Sequence, residues 1–170
     1  KAGMAAQVLD ADGNSVKAFA TLDEAFNAAI EGQTVRLLKD LTEDVTIDKN
    51  ITLDLGGKTL TNTNAGHATI TIANGATATV KNGSVVGGTS YYNIQNNGTA
   101  TFEGLTATAG NTGSSMLDNW GTLTIESGSY SGGLNVVKSE EDSTLTINGG
   151  KFELSYAVSN SYNGVVFTYG

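Results

Sequence analysis

The sequence contains no cysteine, so neither a disulfide framework nor a thiolate metal site can form. Basic residues are scarce too. One arginine (Arg36) and eight lysines face 17 acidic residues, for a net charge of −8. Phosphate binding needs clustered Lys and Arg, so a nucleic-acid groove is excluded. No apolar run approaches the ~18 residues of a membrane-spanning helix. Charged residues make up only 15%, against 39% apolar, which argues against a disordered chain. Proline is absent and no signal peptide is visible; because residue 1 is lysine, a leader removed upstream is the expectation.

What is abundant is glycine, at 22 residues, and beyond residue 40 threonine, asparagine, valine and isoleucine. That composition reads as all-β. The short motif TxT recurs at Thr77, Thr99, Thr122 and Thr144, with spacings of 22, 23 and 22 residues. Other columns repeat with it. One residue past the anchor stand Ala78, Ala100, Leu123 and Leu145, and three past it Val80, Phe102, Ile125 and Ile147. Eight past it are Val85, Ala107, Tyr130 and Phe152; five before it are Ile72, Ile94, Leu117 and, breaking the column, Ser139. Asn-Gly and Ser-Gly pairs punctuate the repeats where sharp corners need left-handed backbone.

A period in the low twenties with several short strands is the arithmetic of a parallel β-solenoid. Each strand then pairs with its counterpart one coil on, about 4.8 Å away. The Leu and Ile of TLTI stack inward, and the threonines stack outward as two ladders. Upstream, residues 35–38, 45–47 and 51–55 are expected as earlier strands. Downstream, VVFTY is expected as a decayed TxT rung, ending the chain without a polar cap.

The first 34 residues differ. Asp12-Gly13 marks a hairpin turn. Leu22, Ala25, Phe26, Ala29 and Ile30 then fall at helical spacing, with Thr21 and Glu24 as a capping box and Gly32 as a stop. The expected domain runs over residues 1–170, with hairpin and helix (1–34) capping rungs that fill 35–170.

Residues 21–62, followed by GTLTI-type rungs, resemble the right-handed parallel β-helix modules of bacterial cell-surface proteins, which share the pectate-lyase-like superfold. The resemblance covers nearly the whole chain. It implies an extracellular or cell-surface location. Because the fold carries lyases, hydrolases, adhesins, stalks and tailspikes, it leaves function open.

Lyases of this fold use a basic residue and often a calcium-binding acidic cluster; hydrolases use paired carboxylates. Arg36 reads as a surface charge, and the single histidine, His67, as a solvated loop residue. Asp40, Glu43, Asp44 and Asp48 form an acidic run that matches no known calcium loop. Asp10, Asp12 and Asn14 begin like an EF-hand, but Ser15 and Thr21 stand where Gly and Glu belong. Glu103 and Glu126 share an outward column with Lys81 and Asn148, so stacking alone makes them neighbours. Aromatic residues gather at corners: Tyr91, Tyr92, Trp120, Tyr156 and Tyr162. Such rings either cover a wide corner or lie flat against sugar. The candidate carbohydrate platform is Trp120, Tyr91, Tyr92 and Tyr130.

The expectation is a non-enzymatic stalk, spacer or adhesin without cofactor or metal. Its partners would be a cell-surface glycan or host receptor, with no nucleic acid and no membrane insertion. The apolar C-terminal end would meet a neighbouring domain or another copy. The alternatives are a carbohydrate-binding or carbohydrate-active β-helix, including a phage-tail type, and ice binding through the TxT ladders.

Overall fold

A computed structural model describes residues 3–155 and 164–169. The chain opens with β1 (Ala6–Leu9) and β2 (Ser15–Phe19), paired antiparallel. Asp10 Oδ1 accepts hydrogen bonds from the backbone N–H groups of Asp12 and Asn14, both at 2.9 Å. This side-chain mimic of a backbone turn is what the Asp10–Asn14 stretch is for. Helix α1 (Leu22–Ala28) follows, with Thr21 Oγ1 accepting from the Glu24 N–H at 3.2 Å. It stops one turn before Gly32. The Lys49 ammonium donates to the carbonyls of Phe26, Asn27 and Ala29 at 2.7, 3.2 and 2.8 Å, satisfying groups that helical backbone leaves open. Ile30 thereby falls outside the helix and is exposed rather than part of its apolar stripe.

Beyond the helix each coil contributes up to three strand segments. The first side stacks β3 (Thr34–Leu37), β6 (Thr52–Asp54), the leading halves of β9 (Thr77–Val86) and β11 (Thr99–Thr108), β13 (Thr122–Ile125) and β16 (Thr144–Ile147). The second holds β4 (Leu41–Thr42), β7 (Thr59–Thr61), the trailing halves of β9 and β11, β14 (Gly128–Ser131) and β17 (Lys151–Glu153). The third holds β5 (Val45–Ile47), β8 (Ile70–Ile72), β10 (Ile94–Asn96), β12 (Leu117–Asn119), β15 (Asn135–Ser139) and β18 (Gly164–Thr168). All these stacks are parallel, and they form a β-solenoid of about five turns. The N-terminal edge is closed by β1, which pairs antiparallel to β3, while Leu22 and Ala25 of α1 join the core.

Corners are built by stacked special residues. Asn82 and Gly104 occupy equivalent positions in β9 and β11, both with φ of 60°, and bend the chain from the first side to the second. At another corner Gly98 and Gly121 lie one above the other; a Cβ on Gly121 would fall 2.0 Å from the Gly98 carbonyl. Only glycine allows that approach.

Inside, like stacks on like. Val35, Leu53, Val80, Phe102 and Ile125 form one fully buried column, and Leu60, Val85, Ala107 and Tyr130 another. The fourth member of the expected column, Ile147, is 40% exposed, and Leu145 is only partly buried. Their strand β16 ends the first-side ladder, so one flank has no covering strand among the described residues.

The third side differs from the repeat in register. Ile94 pairs with Ile70, not Ile72, and Leu117 pairs with Val137, so Ser139 stacks on Asn119. The supposed break in the apolar column is thus a shift of two residues. Likewise VVFT pairs with β15 on this side and is not a decayed TxT strand. The inward column Ile72, Asn96, Asn119, Ser139 turns polar midway. Asn96 Nδ2 donates to Asn119 Oδ1 at 3.0 Å and to the Thr122 carbonyl at 3.0 Å; Asn119 Nδ2 donates to Ser139 Oγ at 3.3 Å and to the Thr144 carbonyl at 3.0 Å. Buried amides are tolerated because each is satisfied.

Candidate functional site

On the first side two outward columns are threonines. One column runs Thr34, Thr52, Thr79, Thr101, Thr124 and Thr146; the other runs Thr77, Thr99, Thr122 and Thr144. On the third side the outward column reads Thr46, Thr71, Gln95, Asp118, Lys138 and Phe167. The uniform ladder has become a set of different functional groups one strand apart.

Asp118 is the centre of that set. Its Oδ2 accepts from Gln95 Nε2 and from Trp120 Nε1, both at 2.9 Å. Although the position faces outward, these neighbours cover it and leave it 1% exposed. Glu140, just after β15, stacks beside Trp120 because Asn119 pairs with Ser139 and the Glu140 N–H donates to the Asn119 carbonyl. Its carboxyl is also buried and neighbours that of Asp118. Burial, and then this neighbour, raise the Asp118 pKa to about 7, against the pull of the Gln95 and Trp120 donors.

Asp118 Oδ1 and Glu140 Oε1 are both buried without a hydrogen-bond donor aligned on them. Lys138 Nζ lies 2.9 Å from Glu140 Oε1, close enough for an ion pair yet angled poorly for a hydrogen bond. The same ammonium sits 5.9 Å from the ring centre of Tyr92 and 5.4 Å from that of Tyr169. Burial works against its charge, but Glu140 and the other acidic groups outweigh this and hold its pKa above the ordinary lysine value. Burial, followed by the Asp118 charge, pushes the Tyr92 phenol up.

Beside this cluster is a pocket of about 190 Å³, walled by Tyr92, Ser114, Ser115, Lys138, Phe167 and Tyr169 among others. It is smaller than the ~300–1,000 Å³ of drug-sized sites and has room for a single small ring.

Three of the four candidate aromatic residues meet here. The Tyr91 hydroxyl donates to Gln95 Oε1 at 3.5 Å, and the Tyr91 and Tyr92 rings contact edge to face at 4.9 Å. Trp120 is anchored by its indole N–H yet 52% exposed. Tyr130 does not belong with them. It is 1% exposed in the second-side core, stacked 5.2 Å from Phe152, with its hydroxyl donating to the Ser127 carbonyl. Its place in the Val85–Ala107–Tyr130 column puts the ring inward, which is why it cannot face a ligand. Tyr156 and Tyr162 lie outside the described residues.

The other sequence candidates have neighbouring coils as partners. Arg36 Nε pairs with Asp54 Oδ2 at 2.9 Å across adjacent strands. Asp40 accepts from the Thr59 N–H, and Asp44 accepts from Asn62 Nδ2 and the N–H groups of Thr63 and Asn64. Glu126 accepts from Asn148 Nδ2. His67 is exposed in a turn. Among the described residues no three His, Asp or Glu side chains gather as metal ligands, and no helix is long and apolar enough to cross a membrane.

Gln95, Asp118, Lys138 and Glu140 carry no motif. A correctly registered third side would have revealed Gln95, Asp118 and Lys138 as consecutive polar positions on one outward column, with Glu140 two residues past Lys138. Comparison with known proteins adds nothing to this geometry: no protein-family model, curated protein or solved structure matches the chain.

Proposed function

We propose that this chain is a non-enzymatic β-solenoid module of a secreted or cell-surface bacterial protein, a spacer that also binds glycan through its third side. The supporting observation is the convergence of the Tyr92 and Tyr169 rings, an anchored but half-exposed Trp120 and a ring-sized pocket on one flank of the rod. Flat rings beside hydroxyl and ammonium groups suit a sugar, which presents an apolar face and polar edges. The exposed Ile147, Val165, Val166 and Tyr169 at the C-terminal end fit a contact with a neighbouring domain or a second copy.

The buried carboxyl pair does not favour hydrolysis. Glycosidases hold their two carboxyls about 5–9.5 Å apart with the scissile bond between them. Asp118 is 1% exposed and its Oδ2 is already taken by Gln95 and Trp120, so it does not present a carboxyl to a scissile bond.

A glycan array probed with the intact chain, followed by calorimetry, tests the reading. Binding is expected, with affinity lowered about tenfold or more in Trp120→Ala. Pectin, alginate and host glycans, with or without calcium, should yield no cleavage products. Absence of any glycan binding, or binding indifferent to Trp120, removes the adhesin part.

The Thr columns support a second reading, ordering of water at an ice surface, since two threonine ladders stand in register over four coils. Unchanged ice growth at millimolar protein would dismiss it.

A further inference from the structure

We propose that Lys138 and Asp118 condense within the folded chain to form a side-chain amide that staples two successive coils, with Glu140 as the proton-transfer group. The inference does not depend on glycan binding. It starts from three neighbouring side chains: a partly exposed amine, a buried carboxyl and a second buried carboxyl beside both.

Asp118 and Lys138 are register partners on the adjacent parallel strands β12 and β15, so their Cα atoms are about 4.8 Å apart. The two oxygens of Asp118 are treated differently. Oδ2 receives two N–H donors, from Gln95 and Trp120, the arrangement that stabilises negative charge developing on a carbonyl oxygen. Oδ1 is buried and has no donor, so it is the oxygen suited to carry the acid proton and to leave. The raised pKa of Asp118 keeps that acid form populated near neutrality. Lys138 Nζ rests on Glu140, flanked by the rings of Tyr92 and Tyr169.

The step balances without any co-reactant. Glu140 takes one proton from the Lys138 ammonium, a transfer that runs uphill because the surrounding acidic groups favour the ammonium form, and the freed nitrogen lone pair attacks Cγ of Asp118 once the lysine's terminal torsions turn it from Glu140 to the neighbouring strand. Charge passes to Oδ2, held by Gln95 and Trp120. Glu140 returns its proton to the Oδ1 hydroxyl, which departs as water as the C–O bond breaks. The nitrogen then releases a further proton to Glu140. One C–N bond has formed, one C–O bond has broken, one water has left, and Glu140 ends protonated. Fixing amine and acid on adjacent strands replaces an encounter between separate molecules in solution. In a chain without cysteine this amide is a covalent tie that needs no oxidant.

Intact mass spectrometry of the folded, full-length chain decides the matter. The expected mass is lower than the sequence mass by one water. Digestion after lysine and glutamate should give a branched peptide joining the segment that holds Asp118 to the one that holds Lys138, with no cleavage after Lys138. Lys138→Arg should show the full sequence mass, and Glu140→Gln should be unlinked or link far more slowly. Wild-type protein at its full sequence mass overturns the proposal, and so does a water loss that maps to a succinimide at Asp12-Gly13. Linkage undiminished in Glu140→Gln overturns the role given to Glu140.

Discussion

The first and third sides of the solenoid are built by the same rule and carry opposite information. On the first side every coil repeats the last, so inward Val, Phe and Ile and outward Thr each stack on their own kind. On the third side the outward positions change at each coil, from Thr71 to Gln95, Asp118 and Lys138. A parallel stack makes repetition the low-cost solution, because identical neighbours pack and pair equally well at every step. The first side also varies in one column, Arg36, Asp54, Lys81 and Glu103, so what sets the third side apart is the cluster that its varied groups form. The buried acceptors without donors at Asp118 and Glu140 fall on that face, as does the pocket.

The largest effect expected from this contrast is in the repetitive core. Leu123 is 1% exposed between Ala100 and Leu145, so Leu123→Ala should destabilise by about 2–5 kcal/mol in chemical denaturation. Its outward neighbour Thr122 is exposed, and Thr122→Ala should shift stability by less than about 1 kcal/mol. Ile147→Ala, on the uncovered terminal strand, should fall between the two. Equal losses at Leu123 and Thr122 would refute the inward and outward assignment.

How much could be read in advance follows the same division. The TxT anchors set the first-side register correctly, because one motif recurs on the same strand of every coil. The N-terminal hairpin and helix were legible from local turn and capping chemistry. The third side was not, since corner lengths vary between the TxT strand and the next. Counting back a fixed five residues lands on Ser139, whereas the stacked residue is Val137. That offset of two preserves the inward and outward alternation yet assigns the wrong neighbours, hiding the Gln95–Asp118–Lys138 column. Glu140 and Trp120 meet only through this register. Tyr130 shows the converse: its repeat column indicated burial, and that information outweighed its proximity to a corner.

A second contrast concerns pH. On the third side Asp118 is held as an acid up to about 7. A carboxyl whose pKa rises on folding binds its proton more tightly in the native state. Its stabilisation is full below the unfolded value near 4 and is lost as pH rises through about 7. In Lys138→Met, where the amide cannot form, stability should fall across that window, by about 4 kcal/mol at most. Adding Asp118→Asn should flatten that part of the curve. Thermal unfolding of both chains from pH 4 to pH 8 checks it; equal slopes would mean that Asp118 titrates normally.

The smallest effect tests why the third-side interior becomes polar. Ile72 heads the inward column and Asn96 follows it, so Asn96→Ile would extend an apolar stack by one coil. Apolar burial favours the change. Against it, Asn96 Oδ1 accepts from the Gly98 N–H at 3.1 Å, and Nδ2 donates to the Asn119 side chain and to the carbonyls of Gly98 and Thr122. These backbone groups lie at the corner where Gly98 and Gly121 stack too closely for any side chain to replace the lost bonds. Leaving buried polar groups unpaired costs about 1–3 kcal/mol, enough to offset the gain from an added aliphatic side chain. Asn96→Ile should therefore be net destabilising by about 1 kcal/mol, and amide exchange at Gly98 should quicken. A more stable variant with unchanged exchange would mean that the asparagines merely occupy the column; the corner would then be held by backbone stacking alone.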